Sequence, residues 1–127
     1  MIDFKNPLFV IRIGLAVVFL WIGIDTLLHP IVWLAWVPQW LLNIIPFSPT
    51  MFMYIHGSIE ALLGLMLLVG FLTRKVSAVA AVMLAAIIVI LGFNDLAARD
   101  FAILTIAVAL SLVKEHPLSL DSYLARN

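Results

Sequence analysis

The 127-residue sequence contains no cysteine and few charged residues. Without cysteine the chain cannot form disulfides, CxxC redox centres or thiolate-ligated iron–sulfur clusters. Charged residues make up 11% of the sequence, against about 25% in a typical soluble domain. The net charge is zero and no basic run occurs, which argues against nucleic acid as a partner.

Apolar residues dominate the sequence, at 65% of the chain with a mean hydropathy of +1.22. A soluble core of this size cannot hide so much apolar surface, so the bilayer is the expected solvent. We therefore predict an all-α integral membrane protein, a four-helix bundle that forms one transmembrane domain over residues 1–127. The predicted helices span about 7–28, 51–72, 76–93 and 95–113. We do not expect the first helix to be a signal peptide, because its apolar run is too long and no small-residue cleavage site follows it.

The fourth predicted helix carries its own charges. Its uncharged run, Phe101–Val113, has 13 residues and would be only about 20 Å long, too short to span a bilayer. The helix is therefore expected to begin near Asp95, which brings Arg99 and Asp100 to the membrane boundary. Asn94 or Asp95 can cap it, because their side chains accept hydrogen bonds from the free N–H groups of a first turn.

Lysine and arginine placement predicts the orientation. With four spans, six of the seven basic residues fall on one side, and Arg99 is alone on the other. The positive-inside rule then places the six, and both termini, in the cytoplasm. A multi-pass protein of the cytoplasmic (plasma) membrane is the expectation. The six are Lys5, Arg12, Arg74, Lys75, Lys114 and Arg126.

The connection over residues 29–50 is long, lacks Asp, Glu, Lys and Arg, and is rich in tryptophan and proline. Tryptophan favours the level of the lipid head groups. We interpret the connection as an outer lid or short interfacial helices; a passive membrane-surface loop is the alternative. The polar tail, residues 114–127, places Leu118, Leu120 and Leu124 where a short helix can dip into the inner interface.

Six ionisable residues are expected to share the outer half of the bundle, as a polar, ligand-binding pocket. Of these, His56 and Glu60 are spaced i, i+4 and lie on one helical face. Arg99 is the only outer cation of fixed charge, so Glu60–Arg99, paired directly or through a water, is the predicted ion pair, with Asp95–Arg99 its competitor. The excess of acids favours binding of protons, cations or hydrogen-bonding head groups. The six are Asp25, His56, Glu60, Asp95, Arg99 and Asp100.

Structural roles are the alternative for each of these residues. Glu60 and His56 can simply fix helix register, and the three aspartates can be solvated or cap helices. Arg12, nearer the cytoplasm, can extend to the inner head groups. The stripe Gly57, Ala61 and Gly64 is typical of close helix packing. Three histidines without ligand spacing predict no metal site and no haem.

The sequence resembles the DoxX-like family of small four-helix membrane proteins along essentially the whole chain. The resemblance lies in four stretches of sequence and in their order. It implies a bundle in the cytoplasmic membrane and an association with quinone-linked sulfur oxidation or membrane redox-stress assemblies. The stretches are Arg12–Leu15 with Phe19–Ile24, Glu60–Gly64, Gly70–Arg74, and Ala98–Ala102.

The leading hypothesis is a membrane subunit, or the quinone or lipid site, of a redox complex. Quinone is then the expected ligand, with a soluble or membrane redox partner, and a homo-oligomer is possible. Since no cysteine is present to hold a cluster, electrons would pass directly between quinone and partner. The alternatives are a small proton-coupled transporter or lipid-binding protein that uses the same acids, and a non-catalytic membrane anchor.

Overall fold

The computed structural model describes residues 6–126, and the residues in that range form helices and no strands. Four helices have at least 18 residues and three are short. Lys5, one of the six basic residues used for orientation, lies outside the described range. The long helices are α1 (Pro7–Leu28), α4 (Pro49–Val69), α5 (Thr73–Leu91) and α6 (Asp95–Leu112), and the short ones are α2 (Pro30–Leu34), α3 (Gln39–Ile44) and α7 (Leu120–Leu124).

Three of the long helices, α1, α4 and α5, are long and apolar enough to cross a membrane. The fourth, α6, has 18 residues, about 27 Å at the rise of an α-helix. Three of those residues are charged, all in its first two turns: Asp95, Arg99 and Asp100.

Glycine allows α1 and α4 to pack backbone against backbone. A Cβ added at Gly64 would lie 2.6 Å from the backbone nitrogen of Leu20, and one at Gly57 would lie 3.0 Å from the carbonyl oxygen of Gly23. A side chain at Gly64 would push the two backbones apart, and one at Gly57 would make an unusually tight contact. Because Gly64 faces Leu20 while Gly57 faces Gly23, the two helices run antiparallel. The small-residue stripe seen in the sequence is thus a packing face.

The other two long helices, α5 and α6, form a second antiparallel pair. An apolar cluster from all four long helices joins the two pairs. It is centred on side chains that are almost completely buried, such as Leu15, Leu67, Ala80 and Leu110. These positions lie in the half of each helix nearer the tail, so the apolar core occupies that half of the bundle.

Two helices begin earlier than predicted, for capping reasons. Helix α4 starts at Pro49 instead of Met51, because the Ser48 hydroxyl caps it and proline suits the first helical position. It ends at Val69 instead of Leu72, because Gly70 adopts the left-handed conformation at φ 72°. Helix α6 begins at Asp95 as predicted, with Asn94 as its cap.

Helix α5 starts at Thr73, three residues before the predicted Val76, because the tail caps it. The Asp121 carboxylate accepts hydrogen bonds of 2.7 Å from the backbone N–H groups of both Leu72 and Thr73. The backbone N–H of Asp121 in turn donates to the Gly70 carbonyl at 3.0 Å. The tail is therefore fixed to the α4–α5 turn, and α5 ends at Leu91, before Gly92 at φ 74°.

Arg12 lies beneath the tail, with 1% of its surface exposed. Its Nη2 donates to the Leu118 carbonyl at 2.7 Å, and its guanidinium lies 5.6 Å from the centre of the Phe9 ring. Extension to the inner head groups is one role that the sequence allows for Arg12. The structure does not show this role, because the tail covers the side chain. We call this end of the bundle, where Arg12, the α4–α5 turn and the tail meet, the tail end.

Candidate functional site

A cavity of about 270 Å³ lies at the opposite end of the bundle, among all four long helices. We call this end the pocket end. The connection between α1 and α4, residues 29–48, covers the cavity and contributes Trp33, Trp36 and Leu41 to its wall. This connection, which we call the Trp segment, contains the short helices α2 and α3. The short helices expected there are therefore present, and their placement at a membrane interface stays a prediction.

Glu60 and His56 form the polar wall that α4 contributes. The i, i+4 spacing places the His56 Nε2 atom 3.4 Å from Glu60 Oε1. The His56 ring also stacks on Phe52, with 6.1 Å between ring centres. Glu60 is 6% exposed, and its second oxygen, Oε2, has no hydrogen-bond partner among the described residues. A buried carboxyl oxygen without a partner is costly unless something else binds it.

The predicted ion pair between Glu60 and Arg99 was wrong as a direct contact. Arg99 instead bonds its sequence neighbour: Nε and Nη2 both donate to Asp100 Oδ1, at 3.0 and 2.9 Å. The neighbour is the easier partner, since Arg99 reaches it without extending into the bundle. Arg99 remains half-exposed while Asp100 is buried. All three residues nevertheless line the same cavity, together with His56.

Two predicted site residues do not line the cavity. Asp95 is exposed in the first turn of α6, as the capping and solvation alternative expected of an aspartate near the interface. Asp25 bonds two residues of the Trp segment: its Oδ2 accepts from the Trp33 indole N–H at 2.8 Å, and its Oδ1 lies 3.1 Å from His29 Nδ1. Asp25 therefore contacts the cover of the cavity instead of its interior.

Thr26 is the polar wall residue that the sequence reading did not single out. It is 1% exposed and lines the cavity, and its hydroxyl has no hydrogen-bond partner among residues 6–126. A signal was available, since Thr26 continues the buried face of α1 that holds Phe19 and Gly23 at helical spacing. The spacing alone does not identify Thr26 as a wall residue, because the sequence does not show which face of α1 is buried.

The cavity wall is otherwise apolar, with Met83, Leu84 and Ile87 of α5 among its residues. The apolar core described above lies between the cavity and the tail end, and Leu84 belongs to both. Within the described part of the chain, no three His, Asp or Glu side chains form a group that could hold a metal. The site is therefore a small apolar chamber with two unpartnered oxygens, an imidazole and one ion pair.

Three helices long and apolar enough to cross a membrane define the class as a helical membrane protein. The chain belongs to the DoxX family, whose model matches residues 7–93. The match covers α1 to α5 and stops before α6, so Arg99 and Asp100 lie outside it. Neither a curated protein nor a solved structure gives a match.

Proposed function

We propose that this DoxX family protein binds the ring of a lipid-soluble quinone in the cavity, as the quinone-site subunit of a membrane redox complex. One observation carries the proposal: the Glu60 Oε2 atom and the Thr26 hydroxyl are buried in the wall of an apolar cavity, and neither has a hydrogen-bond partner among the described residues. Small-molecule sites are typically apolar chambers with a few polar groups that orient the ligand.

The size of the cavity supports a single substituted ring. A dry cavity of about 150 Å³ is enough to hold benzene, so 270 Å³ accommodates one ring with small substituents. The aromatic walls formed by Trp33, Trp36 and Phe52 suit a flat ligand, because aromatic rings pack with offset or edge contacts. A longer isoprenoid chain would extend into the bilayer.

The polar atoms match the two oxygens of such a ring. The Thr26 hydroxyl can donate to a carbonyl of the quinone, whereas Glu60 Oε2 can accept from a hydroxyl of the reduced ring, the quinol. A quinone supplies a two-electron, two-proton couple when bound. The residues of this chain would bind and orient the ring, exclude water from it and supply hydrogen bonds, while a partner protein exchanges the electrons.

The proposal includes four membrane spans, both termini in the cytoplasm and the pocket end outside. Helix α6 is about 27 Å long by its 18 residues, and its Arg99–Asp100 pair reduces the cost of placing those charges at the boundary. Because the chain has no native cysteine, single cysteines at the exposed positions Gln39 and Lys114 can be labelled with an impermeant reagent. Labelling of both from the same side would contradict this topology.

Equilibrium binding of a short-chain quinone to the purified protein tests the site. We expect Thr26→Val to weaken binding of the quinone, and Glu60→Leu to weaken binding of the corresponding quinol, about 5- to 30-fold each, as the loss of one buried hydrogen bond predicts. Ser58→Ala is the matched control, since Ser58 is exposed on α4 and bonds only its own helix, at the Tyr54 carbonyl. Binding that is equal in all four proteins would overturn the proposed site.

A polar lipid is the second candidate, because its hydroxyl or ester groups would satisfy the same two oxygens. Competition distinguishes the two ligands. We expect the quinone to be displaced by a second quinone and not by phosphatidylglycerol or phosphatidylethanolamine at matched concentration. Displacement by lipid alone would assign the cavity to a head group.

A further inference from the structure

The Trp segment is held to the rest of the protein by few polar contacts. Among the described residues, its side chains make only two hydrogen bonds to a long helix beyond the Ser48 cap of α4, and both go to Asp25. Its remaining side-chain bond, Gln39 to Asn43, is internal. Helices α2 and α3 have five and six residues, too few to be stable alone. The position of the segment therefore depends on packing and on Asp25.

The Asp25 carboxylate joins the last turn of α1 to the first turn of α2. One oxygen accepts from the Trp33 indole at 2.8 Å and the other lies 3.1 Å from His29 Nδ1. The Trp33 ring also lines the cavity. An indole has only one N–H to donate, so this bond fixes the ring over the chamber.

We propose that Asp25 is a positioning residue that holds Trp33 as a gate over the cavity and so slows ligand exchange. The proposal rests on the proposed function of the cavity. Asp25 does not contact the ligand; it acts through the indole. When the bond breaks, Trp33 can leave the wall together with the short helix that carries it, and the chamber opens at the pocket end. Trp36 lines the same wall without such a bond and would not gate.

The position of Trp33 can be tested without any ligand. In a protein with Trp21, Trp36 and Trp40 changed to phenylalanine, Trp33 is the only tryptophan, so the indole fluorescence reports on that ring alone. We expect Asp25→Ala to red-shift its emission and to raise its quenching by acrylamide about twofold or more. Asp25→Asn, which keeps one acceptor oxygen, should give an intermediate change. Asp95→Asn, at an exposed acid of the same end, should give none.

The gating role is tested by the dissociation rate of a short-chain quinone. We expect Asp25→Ala and Trp33→Phe each to speed dissociation about tenfold, the scale of one charge-assisted hydrogen bond. The double variant should be no faster than either single one, because both changes remove the same bond. Trp36→Phe, by contrast, should combine additively with Asp25→Ala. Circular dichroism of each variant checks that the helices are retained.

Each result decides the proposal. Non-additive rates together with increased Trp33 quenching support it. Unchanged quenching in Asp25→Ala, with quinone binding intact, overturns the positioning role alone. Quinone binding that is absent in the parent protein and every variant overturns the gate along with the proposed function, even where quenching responds to Asp25.

Discussion

The carboxylate that caps α5 comes from the tail, 48 residues away, and its removal should destabilise the protein measurably. Asp121 accepts two hydrogen bonds of 2.7 Å from the first N–H groups of the helix. Replacing a capping side chain with alanine typically costs about 0.5–2 kcal/mol. Here the same change also removes both side-chain bonds between the tail and the α4–α5 turn, and it leaves only the backbone bond from Asp121 to Gly70. We therefore expect Asp121→Ala to lower the free energy of unfolding by about 2–3 kcal/mol. Asp121→Asn keeps one neutral acceptor and should lose about 1 kcal/mol.

Thermal unfolding in a mild detergent, followed by circular dichroism, measures these differences. Glu115→Ala is the control, because Glu115 is an exposed acid of the same tail, and it should change stability by less than about 0.5 kcal/mol. Hydrogen exchange gives local evidence, since amides 72–76 should lose protection in Asp121→Ala while those of α4 keep theirs. A loss no larger than that of the control would refute the role of Asp121 as a cap.

Further predictions concern pH and glycine packing. Burial and the charge of neighbouring Arg12 lower the pKa of His116, outside the spans; its neutral form is thus favoured in the folded state. The contribution of neutral His116 to the free energy of unfolding is then fully present above the unfolded-state pKa of about 6.5, and it falls as the pH drops below that value. His116→Gln should therefore make the free energy of unfolding less dependent on pH in this range. Burial raises the pKa of Asp121, but hydrogen bonds from Thr73 and Leu72 outweigh it and hold that pKa below its ordinary value. The stability due to Asp121 is therefore lost only at lower pH, below about 4, and pH-dependent unfolding of the two variants separates the two slopes. Gly64→Ala should cost about 1–3 kcal/mol, because its Cβ would lie 2.6 Å from Leu20 N, whereas Gly14→Ala, with nothing within 4 Å, should be neutral or slightly stabilising in the same thermal assay.

Local signals in the sequence predicted most of the helical structure. The start of α6 followed from the short run Phe101–Val113 and from Asn94, whose side chain does cap the helix. The start of α5 could not be predicted in this way, because its cap, Asp121, is distant in the sequence. The end of α4 at Gly70 depends on a left-handed residue, and in the sequence Gly70 sits inside a run that is apolar on both sides.

Of the six residues expected to share a pocket, four line the cavity, but the partner of Arg99 was not predicted; the four are His56, Glu60, Arg99 and Asp100. Helical spacing alone brought His56 and Glu60 together. The partner of Arg99 was not predicted, because charge balance alone favours the most deeply buried acid, Glu60, over the adjacent Asp100. Asp25 was grouped with the site by depth, yet depth does not say which way a side chain faces. The role of Thr26 depends on the α1–α4 packing that buries it.

The central claim, that the cavity holds a quinone ring, is tested most directly by photo-crosslinking with a short-chain azidoquinone followed by peptide mapping. We predict labels on cavity residues such as Phe52 and Met83. Labelling should be lost in Ile87→Trp, which places a larger ring in the cavity wall, and kept in Ala78→Phe, at an exposed position of the same helix that does not line the cavity. Labels confined to exposed residues outside the cavity such as Val82 and Val89, with no change in Ile87→Trp, would contradict the account.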